Sequence, residues 1–359
     1  MCTHHSSVNC LIPPYMMRQL MESTSEKSAL FKEVVQTLVT DAALRGQRRV
    51  FRFLPPAGRR ALTCAPLAKP TKKAKVNREV YTAENKKQEP GKLVRKEGSK
   101  PVKDRDVNNV YDAAGYVWDF YNSLFGRNSI DNNGLKLVQT VHYKKKYQNA
   151  FWDGQQMVYG DGDGKVFASF TEDIDVIGHE LTHGVVQYEC NLVYQDQSGA
   201  LNESLADIFG IMIKQKALNL GVAQSAWLIG ENVMIGDKFA LRSLKAPGTA
   251  YRNHPVWGTD PQPAHMSGYT NDPLDSGGVH LNSGIPNHAF YLACMKVGGF
   301  AWDKVGRIWY AAMCDKKAVS TTAGFSDFKN ATVLHAQKLF GADKTVEKAV
   351  TDAWTSVGV

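Results

Sequence analysis

The stretch HELTHGVVQYE, His179 to Glu189, carries two histidines four residues apart, with a glutamate directly after the first. Helical positions i and i+4 share one face, so His179 and His183 can reach a single ion while Glu180 points toward an adjacent cleft. Apolar residues at helical spacing support a helix here. The motif favours a zinc peptidase site, and the alternative is a surface helix whose two histidines bind nothing.

A catalytic zinc needs a third protein ligand and an open coordination position. Twenty residues past His183 stands Glu203, inside the helix-like stretch SGALNESLADIFGIMIKQ, and Asp207 follows one turn later on the same face. Two histidines and a glutamate are a known zinc ligand set. Asp207 can accept the second ring N–H of a metal-bound histidine. The alternative for both carboxylates is ordinary charge on a solvated helix.

The pattern along the chain divides it into three parts. Residues 16–45 repeat apolar residues at helical spacing, and a linker rich in Pro, Gly, Lys and Arg follows. Residues 76–170 are β-like and turn-rich, with GKLVR, LKLVQTVHY and MVYGDGDGKVFASF as strand candidates. We predict a leader and linker over 1–67, a β-rich lobe over 68–185 that ends in the active-site helix, and a helical lobe over 186–359. Helices are predicted at 176–189, 200–217, 286–297, 302–313, 326–339 and 345–354.

Charge is distributed unevenly: residues 1–105 hold 22 Lys and Arg against 9 Asp and Glu. The basic stretch 69–78 lacks interleaved aromatic residues, which predicts a solvated linker open to proteases and no nucleic-acid partner. No run of 18 apolar residues occurs, so no membrane span is expected. The first 19 residues do not form a secretory signal, and six scattered cysteines are typical of free thiols. These features predict a cytoplasmic protein, with a non-classical export route left open.

Several motifs together resemble the thermolysin family of zinc metallopeptidases, in the family's order and from about Tyr111 onward. They are HELTH, the glutamate of NESLADIFG, YQNAFWDGQQMVYGDGDG (147–164) and DSGGVHLNSG (275–284). The leader segment IPPYMMRQ (12–19) is similar to that of the protealysin-like subgroup, which has a compact propeptide. The resemblance implies an α+β fold with a β-rich N-terminal lobe, a mainly helical C-terminal lobe and a zinc cleft between them, preceded by a small helical propeptide.

The resemblance also implies the chemistry of a zinc-dependent neutral endopeptidase made as a zymogen, acting on proteins and peptides. His179, His183 and Glu203 would hold one Zn²⁺, which polarises the scissile carbonyl. Glu180 would act as general base and then general acid for the attacking water.

Further groups would stabilise the transition state and bind substrate. Tyr194 and His280 match the family's oxyanion donors, Asp275 its carboxylate that holds the imidazole charged and oriented, and Arg242 its carbonyl-binding arginine. The groups that match substrate-backbone contacts are Asn149 and Ala150, beside Trp152. The positions that match the pocket for the residue after the cut are Phe167, Val176, Ile229 and Leu241. This apolar lining predicts a preference for bulky hydrophobic residues, although each of these four positions read alone is typical of core.

Calcium is a point of departure from the family. Asp175 and Glu231 stand at two of the positions where thermostable members bind a calcium pair, but Lys214, Ala226 and Leu228 occupy others. A charged lysine cannot ligate Ca²⁺, and Lys214 can instead replace the ion and pair with Asp175. We predict no full double-calcium site, while a single Ca²⁺ elsewhere stays open.

The leader is expected to act as an intramolecular inhibitor in a monomeric protein. Its segment Ile12-Pro13-Pro14-Tyr15 is predicted to dock in or beside the cleft, with the stiff Pro-Pro pair extended and resistant to cleavage. Cys10 is interpreted as a surface cysteine, with zinc ligation as the alternative. Processing is expected between Pro56 and Lys75.

Two alternative functions remain at this point. An aminopeptidase would need an acidic group to capture the free amine, typically in a GxMEN-like motif, and the sequence has none. A zymogen-like protein that binds metal without cutting is the other alternative, and only activity excludes it.

Overall fold

The computed structural model of the protein describes residues 9–53, 74–236 and 239–359. It divides the chain into two units, residues 1–172 and 173–359. The expected processing site falls almost wholly on residues 54–73, which lie outside the described residues.

The first unit is built on a six-stranded mixed sheet. Its strands are β1 (Asn9–Cys10), β2 (Arg78–Thr82), β3 (Lys92–Lys96), β4 (Leu137–Val141), β5 (Ala150–Trp152) and β6 (Met157–Tyr159), in the order β1-β5-β6-β4-β2-β3. The three strand candidates overlap β3, β4 and β6, so the β-rich character of this region is confirmed. The leader contributes β1, which pairs antiparallel with β5 at the edge of the sheet.

Among the described residues of this unit, three helices accompany the sheet: α1 (Pro14–Glu22), α2 (Ala29–Phe53) and α3 (Arg105–Phe125). The first two confirm the helical leader. The third was missed by the sequence analysis, which assigned residues 76–170 a β-like pattern. Asp104 caps α3 by accepting from the backbone N–H groups of Asp106 and Val107, and Gly126 ends it in the left-handed conformation with φ of 66°.

The second unit is mainly helical, as predicted. Its helices are α4 (Ile174–Tyr188), α5 (Asp196–Ala217), α6 (Val279–Asn282), α7 (Gly284–Val297), α8 (Val305–Cys314), α9 (Phe325–Phe340) and α10 (Lys344–Ser356). Six of them overlap the six predicted helices, and the short α6 is additional. A two-stranded ribbon joins β7 (Leu228–Ile229) to β8 (Arg242–Ser243). Among the described residues, no helix is long and apolar enough to cross a membrane.

Helices α4 and α5 approach each other closely at two glycines. A Cβ atom on Gly210 would lie 2.5 Å from the carbonyl oxygen of Asp175 and 3.0 Å from the backbone nitrogen of His179. A Cβ on Gly178 would lie 3.1 Å from the Cα of Gly210. Any side chain at Gly210 would therefore push the helices apart, and this close packing brings the side chains of α5 within reach of the histidines on α4.

Candidate active site

The two histidines of α4 and the glutamate of α5 converge on one point, and all three are fully buried. The Nε2 atoms of His179 and His183 are 3.0 Å apart. Glu203 places Oε2 3.5 Å from the Nε2 of His179 and Oε1 3.5 Å from the Nε2 of His183. Ligand atoms around a tetrahedral zinc ion lie about 3.3 Å from one another, so the spacing of these atoms fits Zn²⁺.

Hydrogen bonds on the far side of each imidazole orient the pair. The Nδ1 of His179 lies 2.8 Å from Asp207 Oδ1, and the Nδ1 of His183 lies 2.9 Å from Asn202 Oδ1. Both partners are acceptors, so each Nδ1 carries the proton and a neutral ring presents an unprotonated Nε2. Two unprotonated nitrogens that face each other at 3.0 Å are the donor set of a metal ion. The sequence analysis anticipated Asp207 but missed Asn202, although it directly precedes Glu203.

Asp207 is the centre of a buried network that fixes His179. Arg242 donates to it twice, from Nε and Nη2 at 2.8 Å each, and Asn287 Nδ2 donates at 2.9 Å. Burial alone would raise the pKa of Asp207, but Arg242 and His179 outweigh it and hold that pKa well below its usual range. Asp207 is therefore a carboxylate at neutral pH. The sequence analysis did not anticipate this contact of Arg242 or the role of Asn287, because both lie far from Asp207 in sequence.

Glu203 is kept ionised by the imidazoles around it. Burial would raise its pKa, but the neighbouring imidazoles, led by His280 and followed by His183 and His179, lower it to about 2. Its Oε2 accepts no hydrogen bond from the described residues, while its Oε1 accepts one from the hydroxyl of Tyr194. A buried carboxylate oxygen without a hydrogen bond is costly, and a cation at the shared point would satisfy it.

His280 and Tyr194 lie side by side next to Glu203. The Tyr194 hydroxyl is 3.1 Å from His280 Nε2. Asp275 accepts from His280 twice, from Nδ1 at 2.5 Å and from the backbone N–H at 2.9 Å. Burial lowers the pKa of His280, but Asp275 and Glu203 more than offset it and the net direction is upward. A charged imidazole and a phenol are thus held where an oxyanion would need donors.

Lys214 pairs with Asp175, as the sequence analysis expected. Its Nζ lies 2.7 Å from Asp175 Oδ2 and 2.9 Å from Glu231 Oε2. Burial lowers the pKa of Lys214, but the surrounding carboxylates, led by Asp175, more than offset this effect. The net shift of the pKa is therefore upward. The ammonium therefore neutralises the carboxylates that a calcium ion would otherwise need.

The positions expected to line the hydrophobic pocket are all buried. Leu241 directly precedes β8, and its N–H donates to the carbonyl of Ile229 in β7 at 2.8 Å. Val176 follows Asp175, whose Oδ1 accepts from the N–H of Gly230 at 3.1 Å. Phe167 belongs to the first unit, where its ring lies 5.7 Å from that of Phe170.

In the first unit, the residues expected to bind the substrate backbone form the edge that the leader covers. Leader residue Leu11 donates its N–H to the carbonyl of Ala150 at 3.1 Å. The N–H of Ile12 donates to Asn149 Oδ1 at 2.9 Å. The register pairs Asn9 with Trp152. The leader thus uses both the side-chain amide and the main chain of this edge.

Two expectations about the leader need correction. Pro13 is extended, with φ of −63° and ψ of 147°, but Pro14 and Tyr15 already belong to α1. Proline fits the first turn of a helix, where its missing N–H has no partner to lose, so the Pro-Pro pair starts a helix instead of continuing the strand. Cys10 is not a surface cysteine: it is 2% exposed and packs in a cluster with Ala83, Tyr143, Tyr147, Phe151 and Val158.

Comparison with known families identifies the site. Residues 66–187 match the thermolysin metallopeptidase catalytic domain, and residues 190–359 match the thermolysin metallopeptidase alpha-helical domain. The chain belongs to the thermolysin family of metallopeptidases. It is therefore a zinc-dependent neutral endopeptidase, and the resemblance stated from the motifs is confirmed.

Relatives of the whole chain agree with this assignment. Extracellular metalloprotease from Pectobacterium carotovorum subsp. carotovorum is 50% identical over 285 residues, which cover 79% of this chain and 81% of that protein. Protease PrtS from Photorhabdus sp. (strain Az29) is 42% identical over 357 residues, covering 97% and 91%. The solved precursor of protealysin, a metalloproteinase from Serratia proteamaculans, superposes with a TM-score of 0.85 at 44% identity and covers 98% of this chain and 99% of that one. The match to a precursor confirms the zymogen form and the predicted fold.

The predicted cytoplasmic location is wrong. A relative at 50% identity is named an extracellular metalloprotease, which points to export. The prediction failed because the lack of one kind of signal in the first residues says nothing about other ways of leaving the cell.

Proposed function

We propose that His179, His183 and Glu203 hold the zinc ion and that Glu180 is the general base and acid of peptide hydrolysis. The observation that carries this is the pair of Nε2 atoms 3.0 Å apart, each on a ring whose Nδ1 faces an acceptor, with a carboxylate beside them. When bound, zinc supplies Lewis-acid chemistry, which makes water more acidic and polarises a peptide carbonyl. Glu180 follows His179 on α4 and is fully buried. It takes the proton of the attacking water and passes it to the leaving amine.

The charged His280 and the hydroxyl of Tyr194 donate hydrogen bonds to the oxyanion that develops on the scissile carbonyl. Asp275 keeps the imidazole protonated and fixes its ring through two contacts. Preorganised donors of this kind contribute about 10²–10³ in rate each. Arg242, held by Asp207, binds the carbonyl on the leaving-group side.

Substrate lies along the Asn149–Trp152 edge and is selected by an apolar pocket. The edge offers the main chain of Ala150 and the amide of Asn149, and the lining of the pocket is supplied by Val176, Ile229 and Leu241. A lining without charge or hydrogen-bonding side chains favours Leu or Phe after the cut. The proteins and peptides cut by this chain therefore share bulky hydrophobic residues at that position.

The leader inhibits the enzyme by covering this same edge. Residues 9–12 extend the sheet on β5, and Ile12 contacts both ends of the Asn149 side-chain amide. The N–H of Ile12 donates to Asn149 Oδ1 at 2.9 Å, and the carbonyl of Ile12 accepts from Asn149 Nδ2 at 3.5 Å. An added strand of this kind competes with any extended peptide for the same main-chain groups. Removal of the leader would therefore free the edge for substrate.

The test follows the mass of the purified precursor over time, with zinc content measured in parallel. The wild-type chain is expected to lose its leader and then cut casein, whereas Glu180→Gln binds one zinc but stays whole. As a control, processed wild-type enzyme is added to the Glu180→Gln precursor and should trim it, which shows that the linker itself is cleavable. Self-trimming by Glu180→Gln at the wild-type rate would remove Glu180 from its proposed role.

A further inference from the structure

Three consecutive lysines, Lys144 to Lys146, precede the substrate edge and have no role in the chemistry described above. Side-chain oxygen atoms of leader helix α2 contact two of these lysines. Lys146 Nζ lies 2.8 Å from Glu33 Oε1, and Lys144 Nζ donates to Thr40 Oγ1 at 2.7 Å. This run is therefore matched to the leader by charge and by hydrogen bonding.

A second carboxylate of the leader binds the residues just after the lysines. Asp41, buried at 1% exposure, accepts from the Tyr147 hydroxyl at 2.5 Å and from Asn149 Nδ2 at 2.8 Å. Glu33 and Asp41 are eight residues apart in α2 and so lie on one face of that helix. The leader thus offers an acidic helix face to a strip of ammonium, phenol and amide donors.

A cavity of about 280 Å³ opens beside this contact, and four lysines line it: Lys87, Lys144, Lys145 and Lys146. Burial lowers the pKa of Lys144 and the charge of Lys87 lowers it further, while Asp41 acts in the opposite direction. Positive charges are therefore crowded here, and carboxylates relieve the repulsion. Glu33 and Asp41 depart with the leader, and the crowded lysines remain on the processed enzyme.

We propose that the lysine surface, Lys87 and Lys144–Lys146, binds acidic segments of protein substrates in the processed enzyme, in the place that α2 takes in the precursor. The proposal rests on the leader being a removable inhibitor, and the occupant is inferred from the carboxylates that the chain itself puts there. Exposed ion pairs are individually weak, but several acting together raise kcat/KM by about fivefold to tenfold at low salt. Most of that gain lies in KM.

The test compares two peptides that share one cleavable core with Leu after the cut. One carries four Glu at each end, and the other carries four Ser at each end. Processed wild-type enzyme should show a kcat/KM ratio of about 5–10 in favour of the acidic peptide at low ionic strength, and roughly molar salt should bring the ratio close to one. In Lys144→Ser/Lys145→Ser/Lys146→Ser the ratio should be near one at low salt.

Two further variants separate charge recognition from structure. Lys103→Ser removes an exposed lysine elsewhere in the same unit and should keep the wild-type ratio. Lys145→Glu changes an exposed side chain and should lower the ratio even if the triple variant folds poorly. A wild-type ratio near one, or an equal ratio in all variants, would overturn the proposal. Failure of the inhibitory role has its own readout, because an uninhibited precursor would cut the Ser-flanked peptide as fast as the processed enzyme.

Discussion

Among the residues that the structure describes, two clusters of imidazole and carboxylate groups are close enough to surround a metal ion, one in each unit. The first is His179, His183 and Glu203, and the second is His142 with Asp104 and Asp106. In the first, the Nδ1 atoms are held from outside and the Nε2 atoms face each other. In the second, a single imidazole lies between two carboxylates, with Nδ1 2.8 Å from Asp161 and Nε2 2.9 Å from Asp104.

The difference between the clusters shows that a metal site requires more than nitrogen and oxygen atoms lying close together. Both nitrogens of His142 already contact acceptors, and hydrogen bonding to Asp161, opposed by burial, raises its pKa to about 9. Asp106 accepts from the hydroxyls of Ser169 and Thr171. At neutral pH the His142 imidazolium is itself the cation of its cluster. The active-site cluster has no such internal cation, so it fits an external one.

The largest expected effect separates the two clusters directly. His183→Ala removes one of the three proposed zinc ligands, and we expect zinc content to fall well below one per chain and casein cleavage to fall to background. His142→Gln is the matched control in the other cluster and should keep one zinc and wild-type activity. Metal analysis of both purified proteins checks this. A second zinc in the wild type that disappears in His142→Gln would mean that the clusters are alike.

A smaller loss is expected from the partner of a ligand. Asn202→Ala takes away the acceptor of His183 Nδ1 and frees the ring to rotate or to change tautomer. Loss of such a partner typically weakens metal binding by about 10–100-fold. Competition with a chelator measures this, and Asn202→Asp should restore most of the affinity because it keeps an oxygen acceptor. Equal zinc affinity in Asn202→Ala and the wild type would contradict the orienting role.

The convergence of His179, His183 and Glu203 was predictable from the sequence, because HELTH places two histidines on one face of a helix and NESLAD places Glu203 and Asp207 on one face of the next. The hydrogen-bond partners of these groups were harder to predict from the sequence. Asn202 lies within a predicted helix but carries no distinct spacing signal, and Asn287 reaches Asp207 only through the packing of α7. Helix α3 was missed because its buried face uses Val, Tyr and Phe, which also favour strands. Strand β1 has two residues and no periodicity, so only tertiary contact with β5 defines it.

A pH-dependent effect is expected from the second cluster. Because the folded-state pKa of His142 is raised above 6.5 to about 9, its stabilisation is fully present below pH 6.5 and is lost as pH rises through about 9. At pH 6 we expect the free energy of unfolding of His142→Gln to be about 1–2 kcal/mol lower than that of the wild type. This difference should be gone above roughly pH 10. Urea unfolding in the Glu180→Gln background measures this without self-cleavage. A difference that grows with pH would reverse the assignment.

The smallest expected effect tests whether an internal cation can be exchanged for an external one. Lys214 holds Asp175 and Glu231 together without metal, and Lys214→Glu replaces the ammonium by a third carboxylate. Without calcium the repulsion between carboxylates should lower the melting temperature. Millimolar Ca²⁺ should then raise the melting temperature of the variant by about 2–4 °C, as for a site of sub-millimolar affinity.

The melting temperature of the wild type should not respond to calcium in this way, because the Lys214 ammonium already satisfies the carboxylates. Lys214→Met separates the loss of the ammonium from the gain of a carboxylate, because it removes the first without adding the second. Calcium should raise its melting temperature by less than that of Lys214→Glu. An equal calcium response in the wild type and Lys214→Glu would mean that the ion binds elsewhere and that Lys214 does not stand in for it.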